Sequence, residues 1–150
     1  MSAVNQRRGF TIFEVLLVIG IGTLLLALTL PIGFRFYQQQ VADETGESVF
    51  SALRNAEYAA RLGKHDNAFG VKFFPESYVL FEGSAYATRV IAQDQVFAIP
   101  LGATVVSSTN EVVFAEVSGR PNATGTVTTQ MYGRTRAFII ESSGVISERY

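Results

Sequence analysis

An apolar run over residues 10–34 contains one carboxylate, Glu14, and no other charged side chain. A carboxylate in such a run is costly, and by default it indicates a functional partner. Arg7 and Arg8 come directly before the run, and Gly9 separates them from its first residue. The residues with the most chemical information therefore lie together near the N-terminus.

Elsewhere, candidates for chemistry are few. His65 and Asp66 are residue types that form acid/base pairs, but neighbours in a loop usually face solvent, so we expect no catalytic role. Arg120, Arg134 and Arg136 are the place where a nucleic-acid site would be sought. Three arginines are too few to establish such a site, and we expect them to form a solvated strand face.

The composition excludes several classes of site. Cysteine is absent, so disulfides, thiolate metal ligands and cysteine nucleophiles are excluded. The net charge of -1 gives no electrostatic basis for binding nucleic acid. Because the chain has one histidine, we expect no metal, no cofactor and no enzyme activity. The glycosylation sequon that begins at Asn122 is interpreted as a chance match.

The apolar run is long enough to cross a membrane. As a helix, residues 10–34 would extend roughly 37 Å, and a bilayer core is about 30 Å thick. Arg7 and Arg8 precede the run and only Arg35 closely follows it, which predicts a cytoplasmic N-terminus and an exported C-terminal part. A buried helix in so small a protein, or a secretory signal peptide with its shorter apolar core, fits less well. A plain membrane anchor fits the length but does not explain Glu14.

The segment from Arg7 to Glu14, Arg-Arg-Gly-Phe-Thr-Ile-Phe-Glu, resembles the prepilin processing site of type IV pilins and pseudopilins. The resemblance implies a leader over residues 1–9 and cleavage between Gly9 and Phe10 by a membrane aspartic prepilin peptidase. The same enzyme would then N-methylate Phe10. Glu14 would pair with the N-terminal amine of a neighbouring subunit, and the alternative is that it only reaches the membrane interface.

Three residues inside the apolar run disfavour a helix interior: Gly20, Gly22 and Pro31. In a bilayer the glycines favour close packing of helices, which is the simpler interpretation. Pilin helices commonly carry a proline about twenty residues after the cut, so Pro31 fits the resemblance, and we expect a helix kink there.

Beyond Pro31 the pattern predicts an amphipathic continuation of the helix, with one stripe covered by a sheet. The apolar residues recur at spacings of three, four, seven or eight: Phe34, Tyr37, Val41, Val49, Leu53, Ala56 and Ala60. Gly63 favours a helix end, so the expected helix covers residues 10–62. Asp43 and Glu44 are interpreted as a solvated face of this helix.

The remaining residues, 63–150, are predicted to form a β-rich head. The expected strands are 69–73, 78–81, 95–99, 104–107, 111–117, 126–131, 137–141 and 145–148. The predicted fold class is therefore α+β, with a long N-terminal transmembrane and amphipathic helix packed on a small antiparallel β-sheet head, as in pilins.

The C-terminal part of the head resembles minor pseudopilins of the GspH/FimT type. The resemblance lies in residues 112–114, 118–121, 136–140 and 144–146. The absence of cysteine departs from major pilins that close a C-terminal loop by a disulfide. An acidic cluster like the calcium loop of major pseudopilins is also missing. Both absences favour a minor subunit.

The sequence thus predicts a structural subunit, a minor pilin or pseudopilin, of a type IV pilus, competence or type II secretion filament. The expected partners are prepilin peptidase, other pilin or pseudopilin subunits, an assembly platform protein with its ATPase, and membrane lipid. The chain would cross the bacterial inner membrane once, with the head outside, and then enter the filament. Two alternatives stay open: an anchored extracytoplasmic ligand-binding module, and a tethered hydrolase whose pocket gathers His65 with a carboxylate and a hydroxyl.

Overall fold

The computed structural model describes residues 9–149, except for the side chains of residues 28–32. The chain divides into two compact units, Met1–Gln38 and Gln39–Tyr150, and each is described by itself. The first unit contains the beginning of one long helix. The second contains the rest of that helix and all of the strands.

The long helix, α1, covers Ile12–Arg61. It begins two residues later than expected because Phe10 and Thr11 are not helical. At its other end the Leu62 N–H donates to the Tyr58 carbonyl at 3.0 Å, and Gly63 follows with a left-handed φ of 61°. A glycine in this conformation is a common helix terminus, because it has no Cβ to clash there.

In the first unit, α1 presents apolar side chains on all sides. The large apolar residues from Phe10 to Leu26 are all exposed. Among the described residues, no helix is long and apolar enough to cross a membrane. The expected span over 10–34 includes residues 28–32, which lie outside the described side chains, and the span stays a prediction. The kink expected at Pro31 also stays a prediction, because the side chain of Pro31 is among those outside the description.

The second unit is an α+β domain in which the end of α1 packs on antiparallel strands. The strands are β1 (Phe69–Phe73), β2 (Ser77–Glu82), β3 (Gln95–Ala98), β4 (Ala103–Ser107), β5 (Glu111–Phe114), β6 (Gly125–Met131), β7 (Arg134–Ile140) and β8 (Ile146–Arg149). They form two four-stranded sheets, with orders β3-β2-β1-β5 and β4-β6-β7-β8. The expectation of a single sheet was therefore wrong. The chain leaves the first sheet after β3 and enters the second at β4.

One core joins the helix to both sheets. The predicted helical stripe is confirmed in its second half, where Val49, Leu53, Ala56 and Ala60 are fully buried, but not at Phe34 and Tyr37, which are exposed. They pack with aromatic residues from each sheet, including Phe114 of β5 and Phe138 of β7. Burying a valine, leucine or phenylalanine side chain contributes about 1.5–3 kcal/mol to the free energy of folding. This core is therefore the main attachment of the helix to the sheets.

Two strand ends differ from the prediction by three residues, and each difference has a local reason. β5 ends at Phe114, three residues early, because Val117 has a φ of 62° and the Gly119 N–H closes a turn on the Ala115 carbonyl at 2.9 Å. β7 begins at Arg134, three residues early, because Tyr132 and the glycine after it, both at positive φ, form a two-residue hairpin. Such turns match the twist of the strands that they connect.

Candidate functional site

The predicted processing site lies just before α1. Gly9 and Phe10 are in backbone that is neither helix nor strand. The Phe10 side chain is 82% exposed, and a Cβ built at Gly9 would meet no atom within 4 Å. The bond between them is therefore open to an approaching protein within the described part of the chain. Residues 1–8 of the expected leader lie outside the described residues.

Thr11 is the N-cap of α1, a role that the sequence interpretation missed. The Glu14 backbone N–H donates to Thr11 Oγ1 at 3.3 Å and to the Thr11 carbonyl at 3.1 Å. Thr-x-x-Glu is the capping-box spacing, which was readable from the sequence. Glu14 is the third helical residue, where the helix dipole favours a carboxylate. Thr11 thus caps α1 through the backbone N–H of the residue whose side chain carries the assembly role implied by the resemblance.

Gly20 and Gly22 have free space around them. A Cβ at either position would meet no atom within 4 Å, other than its own helix backbone and chain neighbours. The Thr23 hydroxyl donates to the Gly20 carbonyl at 2.9 Å, so its polar group is satisfied inside the helix. Small residues with no intrachain contact leave room for another helix to approach closely.

The arginines of β7 contact the helix instead of forming an open basic surface. Arg134 Nη1 lies 3.1 Å from Asp43 Oδ1, with both groups about half exposed. Asp43 and Glu44 are exposed, as the prediction of a solvated face requires, and the Asp43 carboxylate also pairs with the sheet. Arg120 is exposed in a separate loop, and no ion pair joins it to this cluster in the described residues.

Arg136 joins α1 to both β7 and β8. Its Nε donates to Glu148 Oε1, and its Nη1 donates to the Asp43 carbonyl at 2.9 Å. The hydrogen bond that Arg136 donates to Glu148 raises the pKa of Arg136. The side chain lies flat on Gly46, where an added Cβ would come within 2.7 Å of Arg136 Cδ. Arg136 thus links helix and sheet through a partly buried ion pair, and little of its guanidinium group is accessible to a ligand.

His65 belongs to a small polar cluster that sequence reasoning missed. His65 Nδ1 lies 2.7 Å from Glu82 Oε2, and Asn67 Nδ2 donates to Glu82 Oε1 at 2.8 Å. The Glu82 side chain is only 5% exposed. Its partners are fifteen or more residues distant in the sequence, so no local pattern could have indicated the contact. No hydroxyl bonds to His65 in the described residues, which leaves a catalytic triad incomplete.

The Glu82 cluster predicts a pH dependence of stability. The hydrogen bond from His65 lowers the pKa of Glu82 below its ordinary value of 4.5. A carboxyl with a lowered folded pKa stabilises the fold above the unfolded value and loses this contribution as pH falls through the folded pKa. Below about pH 4.5 the unfolding free energy should fall more steeply in the wild type than in Glu82→Gln, by at most about 1.4 kcal/mol per pH unit.

The measurement is urea unfolding of the detergent-solubilised chain between pH 3 and 7, followed by near-ultraviolet circular dichroism. Glu116→Gln is the matched control, because Glu116 is exposed in a loop. The control should retain the wild-type slope. Equal slopes for Glu82→Gln and the wild type would contradict a stabilising role of the ionised carboxyl.

A half-open cleft of about 150 Å³ lies between α1 and the turn that joins β7 to β8. Its lining is Arg54, Glu57, Arg61, Gly144, Val145 and Ile146. Arg61 Nη2 is 2.6 Å from Glu57 Oε1, so one of the two guanidinium groups is already paired. The cleft has room for a small polar group and does not contain His65. Among the described residues, no cluster of His, Asp and Glu could hold a metal ion.

Asn122 has a structural contact in the described fold. Its Oδ1 accepts a hydrogen bond from the Val113 N–H at 3.0 Å, and its own N–H donates to the Val113 carbonyl at 2.8 Å. The asparagine of the sequon therefore secures the loop after β5 to that strand. A glycan on its side-chain nitrogen would have to leave this oxygen contact intact.

Comparison of the chain with protein-family models, with curated proteins and with solved structures gave no match.

Proposed function

We propose that this chain is a structural subunit, a minor pilin or pseudopilin, of a type IV pilus, competence or type II secretion filament. Prepilin peptidase would cut it between Gly9 and Phe10 and methylate the new N-terminus. An assembly platform protein and its ATPase would then move it from the inner membrane into the filament. The head would lie outside the cytoplasm throughout.

The observation that carries this proposal is the position of the Gly9–Phe10 bond. The bond is exposed, it precedes the N-cap of an apolar helix directly, and Arg7 and Arg8 precede it in the sequence. A peptidase that binds extended backbone needs an open, non-helical bond, and Gly9 brings no side chain into its active site.

The apolar part of α1 supports an assembly role. A helix that is apolar on all sides requires lipid or other helices around it. Residues 10–34 carry the single charge of Glu14. The large apolar residues from Phe10 to Leu25 are exposed in the described chain. In the proposal they contact lipid before assembly and neighbouring subunits afterwards.

The chemistry of assembly would begin with the cut. Hydrolysis of the Gly9–Phe10 bond leaves a carboxylate on Gly9 and a cationic amine on Phe10. In a filament core of low dielectric, that amine requires a negative partner, because an unpaired buried charge is strongly destabilising. Glu14 of a neighbouring subunit would supply the carboxylate. The pair would set the axial register, while the apolar side chains supply the packing.

The test is to co-express the chain with a prepilin peptidase and measure its intact mass. We expect the loss of residues 1–9 and the gain of one N-methyl group. Gly9→Val is the matched control, because its branched side chain blocks the close approach of the peptidase. We expect no processed product from the control, with insertion into the membrane unchanged.

An uncut wild-type chain would remove the main support for the proposal. The better function would then be a single-pass membrane-anchored extracytoplasmic module that binds a ligand. The cleft lined by Arg54 and Arg61 is the observation that favours this alternative. An anchored module would keep residues 1–9 and would function without any filament partner.

A further inference from the structure

Strand β3 forms one edge of its sheet and pairs only with β2. The direction of its backbone groups follows from the ladder. The Ile99 N–H donates to the Glu76 carbonyl at 2.9 Å, so Ile99 points towards β2. Hydrogen-bonding direction alternates along an antiparallel strand, so the backbone N–H and C=O groups of Phe97 also face β2. Those of Val96 and Ala98 face away from it. Two N–H and two C=O groups therefore face outwards along this edge.

These outward groups lack a partner in the described part of the chain. Outside the ladder with β2, no backbone hydrogen bond involves Val96 or Ala98 there. Val96 is 68% exposed. The side chain of Phe97 is held in place, because its ring stacks on that of Tyr78 at a centroid distance of 5.1 Å. The edge is thus held rigidly in an extended shape by its own sheet.

β3 itself carries no charged residue and no proline that would oppose strand pairing. Natural edge strands commonly carry lysine, proline or inward charges that prevent the addition of another strand. No charged residue occurs from Gln95 to Asn110. The nearest charge, Asp94, is paired with Arg89 at 2.7 Å. Several exposed apolar side chains lie on this strand or close to it in the sequence: Val90, Ile91, Val96 and Leu101.

We propose that β3 pairs with β3 of a second copy of this chain, antiparallel, across a two-fold axis at Phe97. In this register Val96 lies opposite the second copy's Ala98, so each outward N–H and C=O finds a partner. An axis at Val96 would place Ala98 opposite Asp94, and an axis at Ala98 would place Val96 opposite Pro100, which has no N–H. The register at Phe97 is the one that satisfies all the outward groups.

The self-complementary register and the absence of charge from the edge favour a second copy as the occupant. Across a two-fold axis each edge meets its own residues, so a charged edge would repel itself. Here Asp94 would face Pro100 instead of another carboxylate, and its charge is already balanced by Arg89. The larger Val96 would meet the small Ala98. The contact does not depend on cleavage at Gly9, so it can be tested apart from the proposed function.

The first test uses cysteine cross-linking in the full-length chain, which has no native cysteine. Chains carrying Val96→Cys are mixed in detergent with differently tagged chains carrying Ala98→Cys, and the mixture is oxidised. Residues opposite each other in hydrogen-bonded pairs have Cα atoms about 5.5 Å apart, which suits a disulfide. We expect mixed disulfides to exceed self-linked products of either variant by at least about tenfold. Equal linking in all combinations would overturn the register.

The second test separates this contact from association through the apolar helix. Light scattering in detergent should give a dimer for the wild type and a monomer for Ala98→Pro, because proline removes an outward N–H and leaves the β2 ladder intact. Val96→Lys should also be monomeric, whereas Val106→Lys, an equally exposed site on β4, should stay dimeric. Near-ultraviolet circular dichroism checks that each variant is folded. A monomeric wild type, or dimers that persist in both β3 variants, would overturn the proposal.

Discussion

Glu14→Gln is expected to abolish filament assembly while cleavage after Gly9 continues. Glutamine keeps the shape of the side chain and leaves the backbone N–H that donates to Thr11 in place, so only the charge is lost. The amine created on Phe10 would then lack its partner in the filament core. Removing one member of a buried ion pair costs about 3–5 kcal/mol, which corresponds to at least about a hundredfold loss of assembled product.

Thr11→Ala is the control that separates helix capping by Thr11 from the charge of the Glu14 side chain. It removes the Oγ1 acceptor of the Glu14 N–H and keeps the carboxylate. Loss of an N-cap costs about 1 kcal/mol, so assembly should fall only slightly. Sheared filaments are measured by immunoblotting, and the cell-associated chain is measured by intact mass. A Thr11→Ala defect as severe as that of Glu14→Gln would show that helix capping, and not pairing with an amine, is the function of this segment.

Gly144→Ala should destabilise the head by about 3 kcal/mol. Gly144 has a φ of 89° in the turn between β7 and β8, a conformation that costs an alanine about 1–2 kcal/mol. In addition, its Cβ would overlap the carbonyl oxygen of Gly119 in the facing loop. Backbone cannot move aside as a flexible side chain does, so the two loops must separate.

Gly102→Ala isolates the overlap from the backbone strain. Gly102 has nearly the same φ, 87°, and its Cβ would meet no atom within 4 Å. We expect it to cost only about 1 kcal/mol in urea unfolding of the same detergent-solubilised chain. If the two variants lose equal stability, the contact between the Gly119 and Gly144 loops does not contribute to the fold.

Much of the fold was predictable because its signals are local. The stripe of Val49, Leu53 and Ala56 repeats with the helical period, and all eight strands were expected at close to their observed positions. The division into two sheets was not predictable. Alternation indicates which face of a strand is buried, but it does not indicate which strand lies beside it. β3 and β4 are neighbours in the chain and pair in different sheets.

The sequence by itself determined the predictions for the N-terminus: the roles proposed for Gly9, Phe10 and Glu14 rest on their spacing, and the Thr11 cap could also be read from it. The tertiary structure decided the partners of the polar residues in the head. Arg136 bonds to Glu148 and to the helix, and Glu82 is held by His65. The physical reason is the distance along the chain over which each interaction acts. Capping and apolar periodicity act over a few residues of one helix, whereas an ion pair forms between whichever side chains packing brings within about 4 Å.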